Sequence, residues 1–229
     1  MPNLEQLEQA LGVTFQNKDT LRQALVHRSY LNEHPDFPLG QNERLEFLGD
    51  AVLELVVTEY LYQHYENPEG ELTNWRASLV NADILASICE SIGVEPHLYL
   101  SRGETKDAGS KARRYILANA FESIIGAIYL DQGWEASKIF ITNTVLSELP
   151  RILEHRLYID PKSRFQEAAQ ERIGITPSYK VVSEVGPDHA KTFTVGIYLN
   201  KDHVATGIGA SKHEAQVAAA EAAIKAKGW

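Results

Sequence analysis

The sequence predicts an all-α N-terminal domain followed by a small α+β domain whose elements run α-β-β-β-α. Apolar residues recur with helical period from Leu4 to about Arg156, and three strand-like segments lie between two helices after Pro161. The length of 229 residues suits two domains, and 44% hydrophobic with 23% charged residues is ordinary for a globular chain. We expect the domains to span 1–157 and 161–229, joined by a linker at 158–160.

The N-terminal domain divides into helical segments separated by polar or Pro/Gly-containing loops. Leu4, Leu7 and Leu11 begin the first helix at i, i+3, i+7 spacing. The further helical segments run from about Lys18 to Tyr30, from Asn42 to Val56, from Leu72 to Gly93, from Arg114 to Asp131, and from there to about Leu149. The stretch SRGETKDAGSKARR is polar and locally basic, so we expect an exposed loop there.

The C-terminal domain carries clear start and stop signals. Pro161 suits a first helical position, and Gly174 suits the end of that helix. Ser211 and Glu214 have capping-box spacing at the start of an alanine-rich helix. The three strands are predicted at 177–185, 191–200 and 202–210, with strict alternation of Phe193, Val195, Ile197 and Leu199 in the second. This order predicts an antiparallel sheet with both helices on one face.

Charge and composition limit the partners and the compartment. The net charge of −9 argues against nucleic acid, but residues 160–229 hold nine basic and eight acidic residues, so the negative charge lies in the N-terminal part. No targeting segment and no 18-residue apolar run is present, so we expect no membrane span. The single Cys89 lies in an apolar helical pattern, and the lack of a possible disulfide within one chain favours a reducing cytoplasm.

The segment NERLEFLGDAVLELV raises the main functional question, because it is apolar yet carries acids at 43, 46, 50 and 54. These positions lie along one side of a helix, where carboxylates repel one another unless a cation compensates. One interpretation is a solvated face with Arg44 as partner. The other is a set of metal ligands, and it gains support from Asn119 and Glu122, an i, i+3 polar pair in a second apolar helix. Two such helices packed together would supply the oxygen ligands that Mg²⁺ prefers, a site suited to phosphodiester hydrolysis.

These residues also carry a resemblance. NERLEFLGDAVL resembles the signature of the ribonuclease III endonucleases, and HRSY, WRASLVN and ILANAFESIIGAIYLD resemble that family's other blocks in the same order. The segments SRFQEAAQ, PSYKVVSEVGPDHAKTFTV and GIGASKHEAQVAAAEAAI resemble a double-stranded-RNA-binding domain. The resemblance implies an all-α endonuclease domain followed by an α+β RNA-binding domain.

The resemblance also implies a metal site and a dimer. Its metal-binding acids fall on Glu46, Asp50 and Glu122, while the fourth position is Asn119, where the best-known members have Asp. Asn can still ligate a hard cation, but one charge fewer should raise the Mg²⁺ concentration required or favour Mn²⁺. Glu43 is expected as a supporting residue, whereas Glu54 matches no requirement of the family and is expected to face solvent. Phe47, which the pattern alone would place in the core, is implied as the plug of a homodimer.

The RNA-binding residues follow in the same way. A duplex reader needs polar contacts spaced along one side of A-form RNA, because its base edges are hidden in a deep groove. The resemblance assigns minor-groove contacts to the first helix and to the loop after the first strand, and phosphate contacts to the last helix and a strand edge. The residues are Ser163, Gln166, Glu167, Pro187, Asp188, His189, Lys191, Lys212 and His213.

The expected function is therefore a Mg²⁺-dependent endoribonuclease for double-stranded RNA, acting on structured precursors such as ribosomal RNA. It would leave 5′-phosphate and 3′-hydroxyl ends, with no small-molecule substrate and no membrane partner. One alternative is a duplex-RNA-binding or RNA-assembly factor whose nuclease site has decayed, which Asn119 suggests and the three retained acids oppose. A metal phosphohydrolase of small nucleotides would not explain the C-terminal module.

Overall fold

The computed structural model describes residues 3–107, 109–187 and 191–229. The chain divides into two units, Met1–Tyr158 and Ile159–Trp229. The helices of the first unit are α1 (Leu4–Leu11), α2 (Lys18–Ala24), α3 (Arg28–Glu33), α4 (Glu43–His64), α5 (Glu69–Leu79), α6 (Ala82–Ser91), α7 (Arg102–Lys106), α8 (Lys111–Thr144) and α9 (Leu149–Glu154). The all-α character that the periodicity predicts is therefore confirmed.

Two predicted helical segments are each divided in the structure. The segment from Lys18 to Tyr30 breaks between α2 and α3, where Val26 forms an isolated parallel bridge with Tyr99. The segment from Leu72 to Gly93 breaks at Asn81, whose side chain caps α6 by accepting the Ile84 N–H. Each break follows from a hydrogen bond that the apolar spacing does not reveal.

The basic stretch at 101–114 is not simply an exposed loop. It contains α7 and the first turn of α8, each capped by a serine. Arg113 is only 5% exposed, and its Nε lies 3.3 Å from a Glu95 carboxylate oxygen. The expectation of an exposed loop is wrong at this position. An arginine predicts exposure from its charge, but it can be buried when a carboxylate pairs with it.

The core of the first unit forms around α4 and α8. Both helices bury large side chains completely, among them Leu53, Phe121, Ile124 and Ile125. Burial of each such side chain contributes about 1.5–3 kcal/mol. Gly133, with φ +82°, bends α8 at the point where the sequence predicts a new helix to begin. The two central helices are thus held by burial along most of their length, which fixes the polar residues that they carry.

The second unit has the predicted α-β-β-β-α order. It consists of α10 (Pro161–Ile173), β1 (Ser178–Val185), β2 (Thr192–Leu199), β3 (Asp202–Gly209) and α11 (Lys212–Lys227). The strands form an antiparallel sheet in the order β1-β2-β3. Phe165 of α10, Ile197 of β2 and Ala219 of α11 meet in its core, so both helices pack on one face. The start of α10 at Pro161, its end at Gly174 and the Ser211 cap of α11 are confirmed.

Among the described residues, no helix combines the length and the hydrophobicity that crossing a membrane requires.

Candidate active site and nucleic-acid interface

Helices α4 and α8 cross in backbone contact at two glycines. A Cβ atom added at Gly49 would lie 1.8 Å from the Glu122 carbonyl oxygen, and one added at Gly126 would lie 2.2 Å from the Leu45 carbonyl oxygen. Only glycine allows this approach, because any side chain would overlap the opposite backbone. The crossing brings the turn that carries Glu46 and Asp50 against the turn that carries Glu122.

The N-terminal end of α4 is fixed by buried hydrogen bonds. The Asn42 backbone N–H donates to the Val26 carbonyl at 2.9 Å, and its side-chain amide donates to the Ala24 carbonyl at 3.3 Å. The Ser123 hydroxyl oxygen lies 2.7 Å from the Asn119 carbonyl oxygen and 3.3 Å from the Asn42 carbonyl oxygen, so its one proton is shared between them. These bonds join the start of α4 to the middle of α8, next to the predicted metal ligands.

The carboxylates at the crossing repel one another. Burial and then the negative charges of Asp50 and Glu46 raise the pKa of Glu122 to about 8. Burial and then the charges of Glu43 and Asp50 raise the pKa of Glu46 above its ordinary value. Within the described part of the chain, no three His, Cys, Asp or Glu side chains are already gathered closely enough to hold one metal ion. The site is therefore a set of neighbouring oxygen donors that a cation would stabilise in their ionised form.

The predicted site residues fall in two adjoining places. Glu43, Glu46 and Asn119 line a groove of about 350 Å³, which does not include Asp50 or Glu122. Glu46, Asp50 and Glu122 interact electrostatically at the helix crossing. Glu46 belongs to both places and is half-buried, as are Asn119 and Glu122, whereas Glu43 and Asp50 are exposed.

The fourth acid of the stripe, Glu54, is not simply solvated. Its carboxylate lies 3.0 Å from Nε of Arg76 in α5, and Arg76 also donates to the Thr58 hydroxyl at 2.9 Å. Glu54 keeps 39% of its side chain exposed and so lies at the surface as expected, but as one half of an ion pair. The helical spacing correctly groups it with the other acids, but the partner helix lies about 20 residues further on and could not be inferred.

Phe47 does not lie in the core. It is 81% exposed and shares an outward face of α4 with Leu55, which is 57% exposed, and Tyr62, which is 80% exposed. The assignment to the core that the apolar pattern alone would give is wrong. An exposed apolar row of this kind indicates an interaction surface.

The site depends on further residues that the sequence reasoning did not single out. These are the glycines at the crossing, the buried Asn42 and Ser123, and His27, which lines the same groove as Glu46. Burial lowers the pKa of His27, with the Glu104 carboxylate acting in the opposite direction. A glycine inside each of two strongly apolar helices was the one signal available, since an interior glycine needs a packing reason.

The predicted RNA-binding residues lie on α10, on α11 and beside the sheet. Ser163, Gln166 and Glu167 are exposed on α10, and Lys212 and His213 are exposed in the first turn of α11. Lys191 lies 2.8 Å from the Glu184 carboxylate. Pro187 is exposed, whereas Asp188 and His189 lie outside the described residues.

Comparison with known proteins decides the family. A ribonuclease-III-like family model matches residues 17–149, and a double-stranded RNA binding motif matches residues 161–227. Ribonuclease 3 of Streptococcus thermophilus is 40% identical over the full length of both chains, and that of Chloroflexus aggregans is 43% identical over 96% of each. This chain belongs to the ribonuclease III family. It is an endoribonuclease for double-stranded RNA with the two-domain organisation of that family, and no finding supports the alternative of a decayed nuclease.

Solved structures agree with this ribonuclease III assignment. The nuclease domain of ribonuclease III from Campylobacter jejuni aligns with a TM-score of 0.58 at 40% identity, over 65% of this chain and 99% of that one. That structure is described for flexibility in a region involved in dimer formation of the nuclease domain. The ribonuclease III family is generally dependent on divalent metal ions.

Proposed function

We propose that this ribonuclease cleaves double-stranded RNA by metal-assisted hydrolysis at the crossing of α4 and α8, with Glu46, Asp50, Asn119 and Glu122 as metal ligands and Glu43 as a supporting residue. The proposal rests mainly on the backbone contact at Gly49 and Gly126, which holds Glu122 against the acids of α4. Carboxylate and amide oxygens are the ligands of hard divalent cations.

The donor set fits Mg²⁺, with Mn²⁺ as a substitute. Mg²⁺ is commonly held by one or two carboxylates together with waters and substrate phosphate, so a closed cage of protein ligands is not required. When bound, such a cation would orient the scissile phosphate, favour ionisation of the attacking water and offset charge on the leaving oxygen. Glu46 and Asp50 present their carboxylates from one helix and Glu122 from the other. Asn119 adds a neutral carbonyl oxygen, so we expect the metal to bind more weakly than at a four-acid site.

RNA binding is proposed for the exposed polar residues of the second unit. Ser163, Gln166 and Glu167 would contact one minor groove through α10, while the N-terminus of α11 with Lys212 and His213 would hold phosphates. Pro187, Asp188 and His189 would contact a second minor groove. Lys191 is paired with Glu184, so it would contact an RNA phosphate only by leaving that carboxylate. Because few fixed positive charges line this face, we expect modest affinity and a shallow salt dependence.

A homodimer is proposed through the exposed face of α4. In a twofold symmetric interface the same patch meets itself, and Leu55 lies midway between Phe47 and Tyr62 along the helix. The Phe47 ring of one protomer would then reach the Tyr62 end of the other. A groove of about 680 Å³ opens there, in which Leu61, Tyr65 and Leu72 lie among polar residues. Its apolar side chains would contact the Phe47 ring of the partner.

The proposed dimer would carry two active sites, which determine the cleavage products. Two sites facing one duplex would cut both strands, leaving 5′-phosphate and 3′-hydroxyl ends with a short 3′ overhang. The substrates would be ribosomal RNA and other structured transcripts in the cytoplasm, with no small-molecule substrate and no membrane partner. Residues 158–160 are proposed as the linker between residues 1–157 and 161–229.

The function is tested by cleavage of an end-labelled RNA duplex of about three helical turns in Mg²⁺, Mn²⁺ or EDTA. We expect wild-type protein to cut only with metal, and Glu122→Gln to lose cleavage while it still shifts the duplex on a gel. Glu54→Gln, which removes a charge from the same helix but away from the crossing, should keep cutting. Cleavage by Glu122→Gln at the wild-type rate would falsify the assignment of this residue.

The dimer is tested by sedimentation of Phe47→Ala. We expect a shift toward monomer at micromolar concentration, since Phe47 is the most exposed of the three apolar side chains on this face of α4. Ile139→Ala is the matched control, because Ile139 is also exposed, at 61%, but lies on α8. Equal dimer stability in both variants would contradict an interface centred on α4.

A further inference from the structure

A second groove adjoins the one that holds Glu46 and Asn119. Its volume is about 480 Å³, and it extends away from Glu43 and Glu46 toward Asn32 and the single carboxylate of Glu104. The two grooves share four lining residues, which are His27, Arg28, Tyr115 and Ile116. A single extended ligand could therefore occupy both grooves, passing His27 and Arg28 as it leaves the acidic site.

The His27 side chain is oriented by its neighbours. Its Nδ1 atom accepts the Ser29 backbone N–H at 3.4 Å and lies 2.8 Å from the Ser29 hydroxyl, which in turn accepts the Ser101 N–H. A ring nitrogen that accepts an N–H carries no proton in the neutral ring, so the proton is on Nε2. His27 therefore offers an N–H donor on the ring edge away from Ser29.

The backbone of His27 is held as firmly as its ring. Its N–H donates to the Tyr99 carbonyl at 3.1 Å, and the Tyr99 N–H donates to the Leu25 carbonyl at 2.9 Å. The preceding residue, Val26, accepts the Asn42 N–H where α4 begins. The imidazole is thus fixed relative to the helix that carries Glu46 before any substrate arrives. A group fixed in this way can position a substrate efficiently.

Arg28 is the cation of this groove and is available to a ligand. Its side chain is 75% exposed, and its nearest acid, Glu43, lies at 4.0 Å and is itself half exposed. An exposed pair at this distance contributes little, so the guanidinium can turn toward another anion. A planar guanidinium matches the paired oxygens of a phosphodiester.

We propose that His27 and Arg28 bind a phosphodiester of the cleaved RNA strand next to the scissile one, and so fix that strand over the acids of α4 and α8. This inference rests on the proposed function of the site. An N–H donor and a guanidinium match the anionic oxygens of a phosphodiester, whereas the base edges of an A-form duplex are hidden in its deep groove. The two residues then act on the position of the strand and not as metal ligands.

The test measures kcat/KM for duplex cleavage in full-length variants at several Mg²⁺ and salt concentrations. His27→Asn keeps a helix-capping oxygen for Ser29 but removes the Nε2 donor. Arg28→Gln removes the charge. Arg28→Lys keeps the charge but removes the paired N–H donors of the planar guanidinium. Arg151→Gln is the charge-matched control, since Arg151 is half exposed, pairs with Glu148 in α9 and lines neither groove.

We expect kcat/KM to fall at least tenfold in His27→Asn and Arg28→Gln, with the half-saturating Mg²⁺ concentration and the melting temperature unchanged. Arg28→Lys should lie between wild type and Arg28→Gln. The slope of log kcat/KM against log salt should become shallower by about 0.9 in Arg28→Gln, the loss of one phosphate contact. Arg151→Gln should match wild type.

The inference would be overturned if kcat/KM of His27→Asn and of Arg28→Gln stayed within twofold of wild type. It would also be overturned if Arg151→Gln lost as much activity as they do. A loss accompanied by a raised Mg²⁺ requirement would also overturn it, because the residues would then act through the metal site. If wild-type protein fails to cut any duplex, the proposed function fails and not the groove assignment alone.

Discussion

Replacing Gly49 by alanine should force α4 and α8 apart and abolish cleavage. The new Cβ atom would lie 1.8 Å from the Glu122 carbonyl oxygen, whereas ordinary contact begins near 3.4 Å. The helices would have to separate by about 1.6 Å. The obstacle is backbone and cannot rotate away, so the cost should reach the upper part of the range of about 1–3 kcal/mol that overpacking usually takes.

The separation would affect stability and catalysis together. For a unit of about 150 residues, each kcal/mol lowers the melting temperature by about 2–4 °C, so we expect a fall of about 6–12 °C. A displacement of 1 Å at a reacting centre can cost about 100-fold in rate, and the acids of the two helices would move apart by more. Gly126→Ala should behave in the same way, because its Cβ would lie 2.2 Å from the Leu45 carbonyl oxygen.

Calorimetric melting and kcat/KM on an RNA duplex measure both effects. Gly70→Ala is the matched control: Gly70 lies in α5, and a Cβ atom there meets nothing within 4 Å. Alanine at such a helical position should stabilise by about 0.5–1 kcal/mol. If Gly49→Ala melted within 1 °C of wild type and cut at the wild-type rate, the account of the crossing as a fixed backbone contact would be refuted.

Three further predictions follow from single contacts. Asn119→Asp restores a fourth charge at the site and should lower the Mg²⁺ concentration for half-maximal cleavage, measured by metal titration; an unchanged value would show that Asn119 is not a ligand. Gly207→Ala places a Cβ atom 2.1 Å from the Ala219 backbone nitrogen, so calorimetry and gel shifts should show earlier melting of the second unit and weaker duplex binding, with the first unit's transition unchanged. Burial raises the pKa of Glu8, but hydrogen bonds from Lys18 and from the Phe15 N–H outweigh it and leave the pKa lowered. The unfolded chain therefore binds this proton at higher pH, and the stability that Glu8 contributes should be lost as the pH falls below about 4.5, unlike in Glu8→Gln; parallel pH profiles of the unfolding free energy would contradict this.

Much of the fold was predictable because its signals are local. Start and stop signals such as Pro161, Gly174 and Ser211 lie within one turn of the helix ends that they define, and the structure uses each of them in that way. The alternation in β2 likewise reports directly on which side chains face the core. The breaks at Val26 and Asn81 were missed because each depends on a hydrogen bond that helical period does not encode.

The candidate site was predictable in part. Helical spacing places Glu46 and Asp50 on one side of α4, and the resemblance to the ribonuclease III endonucleases pairs them with Asn119 and Glu122. The spacing could not separate these acids from Glu54, which is neutralised by Arg76 of another helix. A carboxylate has the same appearance in the sequence whether its partner is water, a metal ion or an arginine.

The sequence by itself determined the order of most helices and strands, the family and the identity of the candidate ligands, because those depend on residue type and on spacing along one helix or strand. Tertiary structure alone decided that Gly49 and Gly126 bring two backbones into contact, and it chose the outward position of Phe47 over the core position that the apolar pattern gives. It also placed His27 and Arg28 beside the acids. These features are distances between segments remote in sequence, and such distances are set by how the whole core packs and not by any single stretch of the chain.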